Sequence, residues 1–285
     1  MKFGIIIPAH NEADHIGQTL DSLLNQSYGA AHIIVVDDGS TDDTTEIVSR
    51  YAESHPQLKL VQKPKVEEGH LPGSKVIAAF NFGLEHLSEE VDIICKYDAD
   101  LIFPENYLEL HKTTFESDPE IGMVGGFCHI LENGQWVLEN LTSQDHIRGA
   151  LKAYRKACFE QNEGLVEAMG WDTVDELLTK YHGWRVVTLP ELAVKHLKPT
   201  GKTYNRKARF KQGQAFYRMR YRFFLTTIAS LKMAVRKKSA SFFYYTIIGY
   251  FKSWFSGDTF LLSKPQGAFM RKQRYRSITQ KLIGR

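Results

Sequence analysis

The chain has 285 residues, 43% of them apolar and 24% charged, with nine prolines. That composition excludes a disordered or collagen-like chain and leaves room for one large α/β domain plus an appendage. Its net charge of +3 hides a division. Residues 1 to 197 carry 15 Lys/Arg against 32 Asp/Glu, whereas residues 198 to 285 carry 21 against one, so the carboxyl-terminal segment is suited to an anionic surface.

Cys95, Cys128 and Cys158 are odd in number and lack CxxC spacing. This argues against a disulfide framework and a zinc site and fits a reducing cytosol. The opening apolar run is too short for a signal peptide, so the sequons at Asn25 and Asn140 read as chance.

In chain order, Phe3 to Ile7 reads as a buried strand stopped by Pro8, followed by a helix capped by Asn11 with Ile16, Leu20, Leu23 and Leu24 at helical spacing. His32 to Val36 is the next strand and ends in Asp37-Asp38-Gly39-Ser40. A second helix follows, capped by Ser40 or Thr41, with Ile47, Val48 and Tyr51 on its buried face. Two β-then-α units in succession call for a parallel sheet with right-handed crossovers. Ligands gather at the carboxyl ends of such strands, where Pro8-Ala9-His10 and Asp37-Asp38 fall.

Neither GxGxxG nor GxxxxGK[ST] occurs, so the dinucleotide and P-loop ways of holding phosphate are absent. Lys75, after Leu71-Pro72-Gly73, opens a helix carrying Val76, Phe80, Gly83 and Leu84. A cation there can reach a ligand in the crevice, although by position alone it reads as a solvated surface lysine. Ile93 to Tyr97 is a further strand, and it ends in Asp98-Ala99-Asp100. Carboxylates two residues apart at a strand end suit a hard divalent cation, Mg²⁺ or Mn²⁺, that completes its shell with water and substrate phosphate. A solvated turn is the alternative.

Glu105 to Phe115 is a helix begun by Pro104, and Ile121 to Ile130 with Gln135 to Leu138 is a strand pair turned by Asn133-Gly134. The change from alternating β-α to β-rich pattern implies a mixed sheet whose second half receives a different substrate. Arg148 to Phe159 fits either helix or strand. Asp172 stands at the start of a helix over Thr173 to Tyr181, where an aspartate commonly serves as a cap. Trp184 to Leu189 is a strand, and Ala193 to His196 leads out of the domain; a lone histidine such as His196 is more often structural than a ligand.

With Pro8-Ala9-His10-Asn11-Glu12, Val36-Asp37-Asp38-Gly39-Ser40, Asp98-Ala99-Asp100 and Gly170-Trp171-Asp172 in that order, residues 1 to 200 resemble the family 2 inverting nucleotide-sugar glycosyltransferases. The resemblance implies a GT-A type, Rossmann-like mixed sheet flanked by helices. It further implies that Pro8, Ala9, His10 and Glu12 line the nucleoside pocket, that Asp37 or Asp38 accepts from the base, and that Lys75 lies against the nucleotide. Asp98 would meet the donor's sugar or ribose, Asp100 the metal, and His196 the metal or diphosphate.

Asp172 resembles the catalytic base of the family. Inversion needs a carboxylate to take the acceptor's proton on the side opposite the departing diphosphate. The chain departs from the family at Trp171, where relatives often have glutamate and where an indole could stack on an acceptor sugar. It departs again at Phe80, where many relatives carry arginine.

From residue 201 on, Arg206, Lys207, Arg209, Lys211, Arg218, Arg220 and Arg222 interleave with Phe210, Phe216, Tyr217, Tyr221, Phe223 and Phe224. Two apolar runs follow, Phe223 to Val235 and Phe242 to Phe255. Neither reaches the roughly 20 uninterrupted apolar residues of a spanning helix. They read as a helical extension, residues 201 to 285, lying on an anionic cytoplasmic leaflet. Packing on the catalytic domain or on a second subunit is the alternative, and nucleic acid is not an expected partner.

The whole sequence therefore reads as a metal-dependent enzyme, peripheral on the inner face of the cell membrane. It would move sugar from a nucleoside-diphosphate sugar, UDP-linked by expectation, to a lipid-linked or growing glycan. A sugar-1-phosphate nucleotidyltransferase, or a non-catalytic membrane-docking protein with a decayed transferase domain, are the rival readings.

Overall fold

The computed structural model describes residues 1–64, 74–139, 144–198 and 206–282. The first part alternates as its hydrophobic pattern demands: β1 (Phe3–Ala9), α1 (Ile16–Leu24), β2 (His32–Asp37), α2 (Thr44–Ser54), β3 (Leu58–Gln62), α3 (Ser74–Leu84) and β4 (Ile93–Tyr97). These four strands pair in parallel, β2 and β4 on either side of β1 and β3 outside β2. Every residue of β1 and β4 is buried, as expected of strands covered on both faces. The order reverses between β1 and β4, and at such a switch point the crossover loops diverge and leave a crevice at the carboxyl ends of the strands.

The second part adds β5 (Leu101–Ile102), α4 (Tyr107–Ser117), β6 (Ile121–Glu132), β7 (Gln135–Leu138), β8 (Leu151–Arg155), α5 (Lys156–Gln161), α6 (Trp171–Tyr181) and β9 (Arg185–His196). The sheet runs β3-β2-β1-β4-β8-β6-β9-β5, with β7 attached to β6. β8 is antiparallel to both β4 and β6, β6 is parallel to β9, and β5 is antiparallel to β9. The expected mixed sheet with flanking helices is therefore what forms. Asn133 and Gly134 both adopt left-handed φ, +50° and +80°, the type I′ geometry that Asn-Gly accommodates between antiparallel strands.

Several local expectations are corrected. β1 continues through Pro8 to Ala9 because its pairing with β4 ends at Ile6, so the missing N–H of Pro8 faces no partner strand. Asn11 does not cap α1. It takes a left-handed φ of +54°, and its Oδ1 accepts from the Thr41 N–H at 2.8 Å while its own N–H donates to Ser40 Oγ at 3.0 Å. Ser40 and Thr41 are thereby occupied in joining two strand-end loops, and Asp42 Oδ1 accepts from the Thr44 N–H at the start of α2. Residues 148 to 159 divide into β8 and α5. Ala193 to His196, expected to leave the domain, is the end of β9 and pairs with both β6 and β5.

The carboxyl-terminal segment folds into α7 (Arg206–Arg218), α8 (Arg222–Arg236), α9 (Ala240–Ser256) and α10 (Lys264–Leu282). α7 and α9 cross at van der Waals contact of their backbones: a Cβ on Gly213 would lie 1.8 Å from the Thr246 carbonyl oxygen, and one on Gly249 2.0 Å from that of Phe210. Val174, Leu177 and Leu178 of α6 share a buried cluster with Ala215, Phe216 and Met219 of α7, Leu225 of α8, Tyr250 of α9 and Met270 of α10. Trp171, one turn earlier on α6, belongs instead to the core around the sheet.

Among the described residues no helix is long and apolar enough to cross a membrane. The Leu71-Pro72-Gly73 loop, the Asn140-Leu141-Thr142 sequon and the expected boundary at residues 200 and 201 lie outside the described residues.

Candidate functional site

A cleft of about 310 Å³ opens where β1, β2 and β4 end. Pro8, Ala9, His10, Glu12, Asp38, Lys75, Asp98 and Asp100 line it, together with Val76, Ala79 and Ala99. Eight of the side chains singled out from sequence thus share one cavity, although they are drawn from four separate stretches of chain.

Each wall has a local cause. At the end of β2, Asp37 is buried and its Oδ1 accepts from the Ser40 N–H at 3.0 Å. Asp37 therefore closes the loop and does not line the cleft, which corrects its placement against the base. Asp38, one residue on, turns outward and is paired with Lys63 at 3.0 Å, while its carbonyl accepts from His10 Nδ1 at 3.0 Å. Glu12 is bridged by Lys198 at 2.5 Å. Burial raises the Glu12 carboxyl above its ordinary range against the opposing pull of that lysine, and nearby Asp100 adds to the rise.

The Asp98-Ala99-Asp100 turn is pinned from below by Thr19 of α1. Its hydroxyl donates to the Ala99 carbonyl at 2.8 Å and accepts from the Leu101 N–H at 3.1 Å. Asp98 is ion-paired to Lys96, a lysine only 1% exposed.

Pairing of Leu101 with His196 in β5 and β9 brings His196 Nε2 to 3.4 Å from Asp100 Oδ2. Its Nδ1 meets Glu139 Oε2 at 2.9 Å, an acceptor that fixes the tautomer and leaves Nε2 directed at Asp100. Glu139 is in turn ion-paired to Arg148, and Cys128 joins Glu139 and His196 with their donor atoms all within 4.8 Å. A carboxylate on the cleft wall beside an oriented imidazole suits Mn²⁺ or Mg²⁺. Burial pushes the Cys128 thiol up to about 11, so it is a poorer candidate than Asp100 and His196 for a ligand at neutral pH.

Asp172 and Trp171 are not among the residues lining this cleft. Trp171 is linked to it through Lys96, the ion-pair partner of Asp98. The Trp171 ring lies 5.4 Å from Lys96 Nζ on one hand and 5.4 Å from Lys152 Nζ on the other, and Gly149 gives it room, since a Cβ there would be 2.6 Å from the indole. Trp171 is 7% exposed. Its face is therefore not open for stacking on a sugar, which corrects the acceptor assignment: it is a buried wall under Asp172, packed near the cross-strand pair Lys96 and Lys152.

Asp172 remains partly exposed and faces His146, whose Nε2 is 3.7 Å from Asp172 Oδ2 and whose Nδ1 is 2.6 Å from Glu176 Oε2. Burial opposes charge on this ring, yet hydrogen bonds to the two carboxylates push His146 up to about 9. By the same contacts Glu176 is brought down to about 2 against its burial. Asp172 is held below the ordinary carboxylate range, burial being outweighed by His146 and Lys152. Behind them the fully buried Lys152 donates to both oxygens of Asp175, at 2.7 and 2.9 Å, while burial raises the Asp175 carboxyl to about 6.

Lys63, Lys96, Lys198, Glu139 and His146 were not singled out by sequence reasoning. Lys63, Lys198, Glu139 and His146 each acquire their role from a partner distant along the chain, whereas Lys96 stands two residues from its partner Asp98 and reads in sequence only as part of a buried strand. Phe80, where the family often has arginine, is fully buried against Phe159 at a ring separation of 6.0 Å. It contributes to the core and offers no charge to the cleft.

The chain is similar to several known proteins. The family model described as glycosyl transferase family 2 matches residues 4–164. An uncharacterized glycosyltransferase of Escherichia coli, YibD, is 28% identical over 134 residues, covering 47% of this chain and 36% of that protein. The chain spans half or less of the length of the first curated relatives it matches.

Among solved structures, the mannosyltransferase PcManGT of Pyrobaculum calidifontis, in complex with GDP-Man and Mn²⁺, aligns with a TM-score of 0.56 at 19% identity, over 97% of this chain and 80% of that one. Staphylococcus aureus TarS 1-349 in complex with UDP-GlcNAc aligns with a TM-score of 0.57 at 20% identity, over 75% and 65%. At these identities the likeness is one of fold.

Proposed function

The family model covers more than half of the chain, so this protein belongs to glycosyl transferase family 2, and from that premise we propose a metal-dependent, inverting transfer of sugar from a nucleoside-diphosphate sugar. The observation that carries the reading is the convergence of Asp38, Lys75, Asp98 and Asp100 with Glu12 on one cleft. It is supported by solved structures of the same fold that bind GDP-Man with Mn²⁺ and UDP-GlcNAc.

In this reading Asp38, paired with Lys63, accepts from the base, and Glu12 accepts from the ribose. Lys75 approaches the diphosphate from the amino end of α3, where the helix dipole adds to its charge. Asp98, held by Lys96, receives the sugar. Asp100 and His196 hold the cation, which when bound supplies positive charge to the leaving diphosphate. Asp172, ionised at neutral pH, takes the acceptor's proton from the far side of the sugar as the new bond forms.

The domain division proposed is a transferase unit over residues 1 to 200 and a helical extension over 201 to 285 that attaches the enzyme to the cytoplasmic face of the membrane. The acceptor is then a lipid-linked or growing glycan.

Mn²⁺-dependent donor binding tests the site. Asp100→Ala is expected to abolish the metal dependence measured by calorimetry, and unchanged affinity would defeat the assignment. Release of nucleoside diphosphate on donor hydrolysis is expected; release of pyrophosphate from a sugar-1-phosphate and a nucleoside triphosphate would favour the nucleotidyltransferase reading.

A further inference from the structure

Two largely exposed apolar stripes of identical spacing lie on the carboxyl-terminal helices, with one half-buried member in each, Ile228 and Phe251. On α8 they are Phe224, Ile228, Leu231 and Val235, and on α9 Tyr244, Ile248, Phe251 and Phe255. Both follow i, i+4, i+7, i+11, which at 3.6 residues per turn confines each stripe to an arc of about 60°. Phe224, Leu231, Val235, Tyr244 and Phe255 are each more than half exposed. α8 and α9 form an antiparallel hairpin, for Phe223 at the start of α8 meets Phe251 near the end of α9 at 5.4 Å between ring centroids, and Phe251 continues to Phe255 at 6.3 Å. Phe223, itself half exposed, thereby bridges α8 to the stripe of α9. A monomer gains nothing from such a surface in water.

We propose that this hairpin face lies on an anionic lipid bilayer, with its two stripes entering the boundary between headgroups and acyl chains. The inference deepens the membrane association proposed above and is independent of the chemistry in the cleft. Charge selects the occupant. Lys232 and Lys252 are exposed at the borders of the stripes and Lys238 in the turn between the two helices, and the single acidic residue after position 197, Asp258, accepts from Ser253 at 2.5 Å.

A second copy docked face to face would oppose the same cations to one another. Docked elsewhere, it would need an apolar counterpart. Before the carboxyl-terminal segment, the described residues expose large apolar side chains only at Leu131, Trp136 and Leu138 of the β6-β7 hairpin, too small an area to cover both stripes. A bilayer supplies both the negative charge and the apolar depth.

The full-length protein is mixed with vesicles of phosphatidylcholine alone or with added phosphatidylglycerol, and the sedimented fraction is measured. The wild type is expected to sediment with the anionic vesicles and much less with the neutral ones. Leu231→Gln/Val235→Gln/Ile248→Gln/Phe255→Gln is expected to lose about tenfold or more in partitioning. Lys232→Gln/Lys238→Gln/Lys252→Gln should lose roughly fivefold per cation.

All these positions are remote from the cleft, so nucleoside diphosphate release by both variants should match the wild type and certify their folding. Failure of lipid binding with turnover intact overturns this surface alone, whereas absence of turnover in the wild type bears on the transferase reading alone. The proposal is also overturned if wild type binds neutral and anionic vesicles equally, if the apolar variant sediments like wild type, or if light scattering reveals a dimer that the apolar variant dissociates.

Discussion

Replacing His146 by glutamine removes a charge held between two carboxylates while keeping a side chain of similar length. The ring is 17% exposed and lies 2.6 Å from Glu176 and 3.7 Å from Asp172. A rise from 6.5 to about 9 corresponds to about 3 kcal/mol of favourable interaction in the charged form. The fall of Glu176 from 4.5 to about 2 is the same contact seen from its partner and is not added to it. Because the folded pKa is the raised one, this stabilisation is complete below the unfolded value near 6.5 and is lost as pH climbs through about 9.

Urea unfolding of the wild type should therefore lose about 3 kcal/mol between pH 6.5 and pH 10 relative to His146→Gln, which lacks that slope. At pH 7 the variant should be less stable by about 2–3 kcal/mol, since Glu176 keeps Lys180 at 2.6 Å as a remaining partner. The acid limb of kcat should also move to higher pH, because Asp172 loses the cation that holds it ionised. An imidazole resonance of His146 titrating near 6.5, or identical pH profiles for both proteins, would refute this reasoning.

Glu139→Gln weakens the acceptor that aims His196, and Mn²⁺ affinity measured by electron paramagnetic resonance should fall about 10- to 100-fold; an unchanged affinity would leave Glu139 without a part in the site. Gly249→Ala sets a methyl 2.0 Å from the Phe210 carbonyl oxygen, a backbone atom unable to rotate away, and thermal unfolding should register a loss of about 1–3 kcal/mol. Lys63→Met removes the partner of Asp38 at 3.0 Å; donor KM should rise with kcat little changed, and an equal fall in both would place Lys63 in the chemical step instead. Deleting the carboxyl-terminal helices would strip α6 of its cover at Val174, Leu177 and Leu178, so removal of residues 206 to 285 should destabilise the transferase unit as well as detach it from lipid.

Much of the cleft was legible before any coordinates, because it is made of strand ends. A short buried strand that terminates in Pro8-Ala9-His10, in Asp37-Asp38 or in Asp98-Ala99-Asp100 announces both its own end and the polar group left there. Parallel pairing then brings those ends to one edge. Asn133-Gly134 was legible for a similar reason, as its turn geometry is a property of two residues. Asn11 misled because a small polar residue before an apolar helix is an ordinary cap, and only the adjacent β2 loop offered it a better partner in Thr41. Trp171 misled in a different way: nothing local says that Lys96 and Lys152, paired across β4 and β8, will both come within 5.4 Å of its ring.

Sequence alone settled the alternation of strand and helix, the mixed character of the sheet's second half and the polar groups at the strand ends, since each depends on hydrophobic period and turn chemistry within a few residues. Tertiary structure decided the pairings that set charge and direction. Lys198 on Glu12, Glu139 on His196 and His146 on Glu176 join positions 186, 57 and 30 residues apart. It also decided that α6 is shared between two cores. Ion pairs and buried rings answer to whichever groups the fold brings within a few ångströms, and Coulomb energy and desolvation depend on that distance rather than on sequence separation.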